Sequence, residues 1–120
     1  MIKISHYSDV NAYTTQDGSE IRELMHPSIH GNKSQSLAEA TVKPNESTFL
    51  HKHIKSEEIY YILQGSGKLF LDNEIIQVSK GDTICIMPGT NHNIANIGQD
   101  DLKILCCCSP AYSHEDTVMS

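Results

Sequence analysis

The chain is short of basic residues, of long apolar runs and of paired-cysteine motifs, and each shortage excludes a class of function. Nine Lys and Arg stand against fifteen Asp and Glu in 120 residues, a formal charge of −6 with seven His taken as neutral. A nucleic-acid-binding surface shows a basic patch or stripe, and docking on anionic lipid needs a basic face. Neither nucleic acid nor membrane is therefore an expected partner. No apolar stretch approaches the roughly 20 residues of a membrane-spanning helix. Residues Met1 to His6 lack the basic region and apolar stretch of a secretory signal, so the expected location is the cytoplasm. No CxxC pair offers the spacing of a zinc ribbon or a thioredoxin-type motif. Cys106, Cys107 and Cys108 are consecutive and Cys85 stands alone. In a reducing cytosol they read as small hydrophobes, with a sulfur-ligand or redox role as the alternative. On a strand Cys106 and Cys108 share one side and Cys107 takes the other.

The length fits one domain, and no repeat, low-complexity segment or long helical period appears. Short apolar runs alternate with turn residues instead. Candidate strands cover 35–42, 49–53, 58–63, 68–71, 75–78, 83–86, 92–97 and 102–108. Between them lie Pro44-Asn45, Gly65-Ser66-Gly67, Asp72-Asn73, Lys80-Gly81-Asp82, Pro88-Gly89 and Gly98. That spacing predicts an all-β sandwich or barrel. Residues 1–34 are polar and mixed, with a turn at Asp17-Gly18, and form an N-terminal arm with edge strands; residues 109–120 form a polar C-terminal tail.

Chemistry concentrates in three places. His51 and His53 stand two apart and project from one face of a strand. Glu58 falls an odd number of positions after His53, so an unbroken strand would turn it away. A bend at Lys55-Ser56 would return Glu58, Tyr60 and Ile62 to the histidine face. His92 follows the Pro88-Gly89 turn. Taken singly, these read as a surface pair, a solvated edge and a turn residue. Together, three imidazoles and one carboxylate form a borderline N/O ligand set suited to one divalent transition metal: Fe, Mn, Co, Ni, Cu or Zn.

The segment from His51 to Gly65 resembles the first motif of the cupins: HxH, three or four residues, Glu, six residues, Gly. Only Glu58, not Glu57, leaves six residues before Gly65. Residues Gly81 to Asn96 resemble the second motif, with Gly81, Gly89, His92 and Asn96 in register. The fifteen residues between Gly65 and Gly81 resemble the spacing of compact single-domain cupins. Met87 stands where the motif usually has Pro, and Asn45 where a Gly commonly opens the preceding loop. Asn tolerates positive φ, and neither departure touches a ligand position.

The resemblance, over about residues 35–108, implies a small antiparallel double-stranded β-helix, the cupin jelly-roll barrel. It places a metal among His51, His53, Glu58 and His92. Four such ligands leave an octahedral ion two open positions for a substrate, whereas a four-coordinate zinc would be structural. Tyr60 shares the face of Glu58, as a donor to a bound anion, a weak acid or a packed aromatic. Gln35, Leu37, Glu39 and Thr41 form one face of an early strand, with Glu39 toward solvent or a polar cavity; Ser36, Ala38, Ala40 and Val42 form a packed opposite face. Arg22 reads as a surface charge. The resulting expectation is a metal-dependent enzyme on a small polar metabolite, sugar-like or a keto or hydroxy acid, with isomerase-type chemistry in which Tyr60 or Glu39 assists proton transfer. The alternatives are an iron-dependent dioxygenase and a non-catalytic module that binds a small molecule. Open sheet edges favour a homodimer, with segment 1–34 the part expected to cross to the partner.

Overall fold

All eight candidate strands form in the computed structural model, which describes residues 2–120. Three further strands come from the arm and the tail, so the order is β1 (Tyr13–Thr14), β2 (Glu20–Met25), β3 (Ser36–Val42), β4 (His51–His53), β5 (Glu57–Gln64), β6 (Ser66–Leu71), β7 (Glu74–Ser79), β8 (Thr83–Ile86), β9 (His92–Asn96), β10 (Leu102–Ser109) and β11 (Thr117–Met119). One short helix, α1 (Pro27–His30), follows β2. The strands pair antiparallel in two sheets, ordered β1-β2-β3-β10-β5-β8 and β11-β4-β9-β6-β7.

Period-two alternation sets the inside of the barrel. Along β5, Glu58, Tyr60 and Ile62 are buried while Glu57, Ile59 and Tyr61 are exposed. Along β10, Leu102, Ile104, Cys106 and Cys108 are buried, and Cys107 lies on the other face. The core joins Ile62, Leu69, Val78, Ile86, Ile94, Leu102 and Ile104. Fully burying an aliphatic side chain of this size stabilises by about 1.5–3 kcal/mol. Toward the other end of β3 and β10, Ser36, Ala38, Ala40 and the cysteines are too small to fill the barrel, and a cavity opens there. The inner face of β3, which alternation alone describes as packed, is thus the wall of a void.

Turns hold this frame. Gly65 has φ 89, and a Cβ there would come within 3.0 Å of the Asp101 carbonyl oxygen. No other residue type fits that β5–β6 turn without displacing backbone. Asn45 takes φ 67 in the loop before β4, the left-handed conformation that its short side chain tolerates. Despite Met87, the turn at Pro88-Gly89 closes: the Gly89 amide donates to the His53 carbonyl at 2.7 Å and so ties the two motif segments together.

Candidate metal centre

β4 and β9 bring the histidines together by register. His51 pairs directly with His92 across the two strands, and His53 points the same way two residues on. The bend between His53 and Glu58 is fixed from the tail. The Asp116 carboxylate accepts from the backbone amides of Lys55 at 2.9 Å and Ser56 at 3.0 Å. Burial opposes its charge, but these two amides hold its pKa below the usual value. The Ser56 hydroxyl donates to the Pro110 carbonyl, and β11 pairs Thr117 with His53. After this anchored bend, β5 resumes with Glu58 facing inward.

Each imidazole is held by one nitrogen, leaving the other to face a common point. His51 Nδ1 donates to the Phe49 carbonyl at 2.8 Å, and His92 Nδ1 to the Thr90 carbonyl at 3.0 Å. His53 Nδ1 lies 3.1 Å from Thr117 Oγ1. The Thr117 hydroxyl spends its own proton on the Ser113 carbonyl, so it accepts from His53. In its neutral form each ring therefore presents an Nε2 lone pair, the arrangement found behind metal-ligating histidines. One ligand atom from each of the three histidines lies within 4.8 Å of the others. Glu58 Oε1 lies 3.4 Å from both His53 Nε2 and His92 Nε2. Glu58 Oε1 and His92 Nε2 are buried and have no hydrogen-bond partner. Buried polar atoms without partners are costly, and a cation among these lone pairs would satisfy them. The residues fit a metal ion.

Without an ion, the electrostatics draw positive charge to the same point. Burial alone would raise the Glu58 pKa, but His53 and His92 beside it bring it down to about 2. Burial and the neighbouring His92 charge lower that of His51. For His92 burial works against protonation, yet the Glu58 carboxylate and the Thr90 carbonyl raise it overall. The other Glu58 oxygen accepts from the Cys108 thiol at 3.3 Å. Burial, with Glu58 next, pushes the Cys106 and Cys108 thiols well up, which keeps both protonated.

Of the expected acid–base residues, the structure brings only Tyr60 to the cavity. Its ring stands edge-on to His92, centroids 6.2 Å apart. Burial and then Glu58 raise its pKa well above 10, which keeps its hydroxyl protonated. Glu39 lies on the opposite face of β3 and is not brought to the histidines. It is buried and accepts from the Tyr7 hydroxyl at 2.6 Å, in an outer pocket shared with Arg22. Arg22 stacks over the Tyr7 ring at 5.1 Å and donates to the Val10 carbonyl. The motif residue Asn96 is structural: its amide donates to the Val42 and Asp100 carbonyls and accepts from the Gly98 amide.

Sequence reasoning missed the opposite wall. Tyr13, Thr15, Asp17 and Glu23 from the first hairpin and Tyr112 from the tail line the same cavity. Asp17 Oδ1 accepts from the amide and hydroxyl of Ser19, and Oδ2 lies 3.9 Å from His51 Nε2. The Asp17-Gly18 turn was visible as a turn, but nothing in its sequence says which way the carboxylate faces.

Comparison with known proteins places this geometry in a family. The Cupin domain family model matches residues 38–108. The Uncharacterized protein MJ1618 of Methanocaldococcus jannaschii is 58% identical over 113 residues, 94% of this chain and 90% of that one. The Oxalate-binding protein of Thermotoga maritima is 34% identical over 86 residues, 72% of this chain and 71% of that one. The polyketide cyclase RemF from Streptomyces resistomycificus superposes with a TM-score of 0.79 at 27% identity, covering 97% of this chain and 89% of that one. The chain belongs to the cupin family.

Proposed function

We propose that this cupin is a metal-dependent enzyme acting on a small polar metabolite, sugar-like or a keto or hydroxy acid, with one divalent transition metal held by His51, His53, Glu58 and His92. The observation that carries the reading is a pair of buried, unsatisfied lone pairs, Glu58 Oε1 and His92 Nε2, beside an open cavity that His51, His53 and Glu58 line. A structural site would cross-link the chain and face no void. When bound, the ion supplies Lewis acidity toward substrate oxygens.

The chain's own residues do the rest. Thr117 and the Phe49 and Thr90 carbonyls hold the rings in orientation. Cys108 occupies the second oxygen of Glu58, so one oxygen remains for the ion. Tyr60 offers a hydroxyl that stays protonated and donates to a developing negative oxygen on the substrate. Ile94, Ile104 and Val42 line the cavity and exclude water around it.

A second reading, a module that binds a small ligand without turnover, draws support from the Thermotoga maritima relative, which is named for binding oxalate. Four free cysteines suit the reducing cytoplasm. Ile59 and Tyr61, exposed on the outer face of β5, suit a homodimer, which sedimentation at micromolar concentration tests.

The decisive experiment is elemental analysis of untagged protein purified without chelators, beside a His51→Ala, His53→Ala double variant. Near-stoichiometric metal that disappears in the variant is the expected result. Iron with oxygen consumption would turn the reading to a dioxygenase. No metal in either protein, and no uptake on titration, would remove the enzyme and leave the binding module.

A further inference from the structure

The hairpin wall of the cavity carries a carboxyl group that the described residues satisfy at only one of its oxygens. Glu23 lies in β2 with its side chain on the cavity face. Its strand pairing with β3 shifts register between Glu23 and Met25, and such a bulge re-aims the side chains beside it. Glu23 Oε1 accepts from the Tyr13 hydroxyl at 3.0 Å. Oε2 is buried without a partner, and the residue is only 9% exposed. A buried acceptor left unpaired costs about 1–3 kcal/mol, and on a cavity wall a ligand's donor can relieve that cost.

Charge narrows the ligand further. Among the described residues, Asp17, Glu23 and Glu58 line the cavity while no Lys or Arg does. A divalent ion held by three neutral imidazoles and one carboxylate retains a single positive charge. With Asp17 Oδ2 also 3.9 Å from His51 Nε2, that charge can balance at most one acid group at the histidine end. A second carboxylate, or a phosphate, would meet Glu23 with no cation to balance it and no proton to offer.

Resting on the metal reading above, we infer that the substrate is a short unphosphorylated polyhydroxy compound. Two of its oxygens face the histidine wall, and a hydroxyl at its other end donates to Glu23 Oε2. Diacids are poor ligands, oxalate included. Glu23 is thus a specificity-determining residue that distinguishes a terminal hydroxyl from a terminal acid.

Matched acids test this. Aldonic and aldaric acids of equal length differ only at one end, hydroxyl against carboxylate: glycerate and tartronate, threonate and tartrate, gluconate and glucarate. Calorimetric binding to the metal-loaded protein should favour the aldonate of at least one pair by about tenfold or more. It should also favour that aldonate over oxalate. Glu23→Gln, with metal content and circular dichroism unchanged, should erase the preference, because an amide can donate to the second carboxylate. Tyr13→Phe, which keeps the carboxyl, should preserve it. Equal or tighter binding of the diacids, a preference that survives Glu23→Gln, or metal uptake with no aldonate binding would each overturn the inference and leave the metal reading standing. A protein that takes up no metal would overturn both.

Discussion

The two walls of the cavity hold their polar groups in contrasting ways. On the histidine wall every imidazole has one nitrogen already bonded to a carbonyl or a hydroxyl, so all remaining valence converges on one point. On the hairpin wall Asp17 is half-occupied by Ser19 and Glu23 half-occupied by Tyr13, and among the described residues only Asp17's free oxygen has an imidazole within 4 Å, His51 Nε2 at 3.9 Å. The first arrangement suits an ion, which needs several lone pairs at one place. The second suits an extended ligand, which offers separate donors along its length. On the proposed reading, chemistry and selectivity sit on different strands of one barrel, and separate variants test each.

The largest effect expected from breaking this division is on the histidine side. His92→Ala should weaken metal binding by more than the roughly 10–100-fold that loss of an outer hydrogen-bond partner costs. Glu23→Gln should leave the metal affinity within about twofold by the same measure, both read by competition with a chromogenic chelator. A comparable loss in Glu23→Gln would merge the two walls into one site.

Acid should then dismantle the histidine wall selectively. The Glu58 carboxyl sits at about 2 in the fold against 4.5 for the free group. Its stabilising contribution is therefore complete above pH 4.5 and lost as pH falls from 4.5 toward 2. Urea midpoints of metal-free protein should fall across that window, and Glu58→Gln should flatten the fall. An unchanged acid limb would remove the charge pairing assigned to Glu58.

Asn96→Ala should cost about 2 kcal/mol in urea unfolding, since Asn96 serves two carbonyls and one amide in the buried frame. Metal affinity in that variant should stay near the parent's, which separates a motif residue that builds the barrel from those that face the ion. The smallest effect is reserved for Thr117→Val, about tenfold in metal affinity. It removes the hydroxyl behind His53 while keeping side-chain shape.

The histidine wall was legible in the sequence because its residues sit at fixed spacings on strands that alternate cleanly. Period two puts His51 and His53 on one face and the punctuation predicts an all-β sandwich or barrel; that His92 joins them in a cupin barrel came from the resemblance of the two motifs. Glu58 needed a bend that Lys55-Ser56 only permits; its cause, Asp116, lies in the tail, far along the chain. The hairpin wall was not legible. In Glu20-Ile21-Arg22-Glu23-Leu24-Met25 charged and apolar residues occupy both alternating sets, so neither face declares itself, and the bulge at Leu24 resets the period. Glu39 illustrates the reverse: alternation put it opposite Ala38 and Ala40, and only the fold shows which of those faces lines the cavity.

One measurement bears most directly on the site as a whole: diffraction from crystals of the protein as purified, with anomalous data at the absorption edge of whichever metal elemental analysis finds. One peak is expected within coordination distance of His51 Nε2, His53 Nε2, His92 Nε2 and a Glu58 oxygen, open to the cavity that His51, His53 and Glu58 line. A peak elsewhere, or a filled set of four ligands sealed away from the cavity, would contradict this expectation.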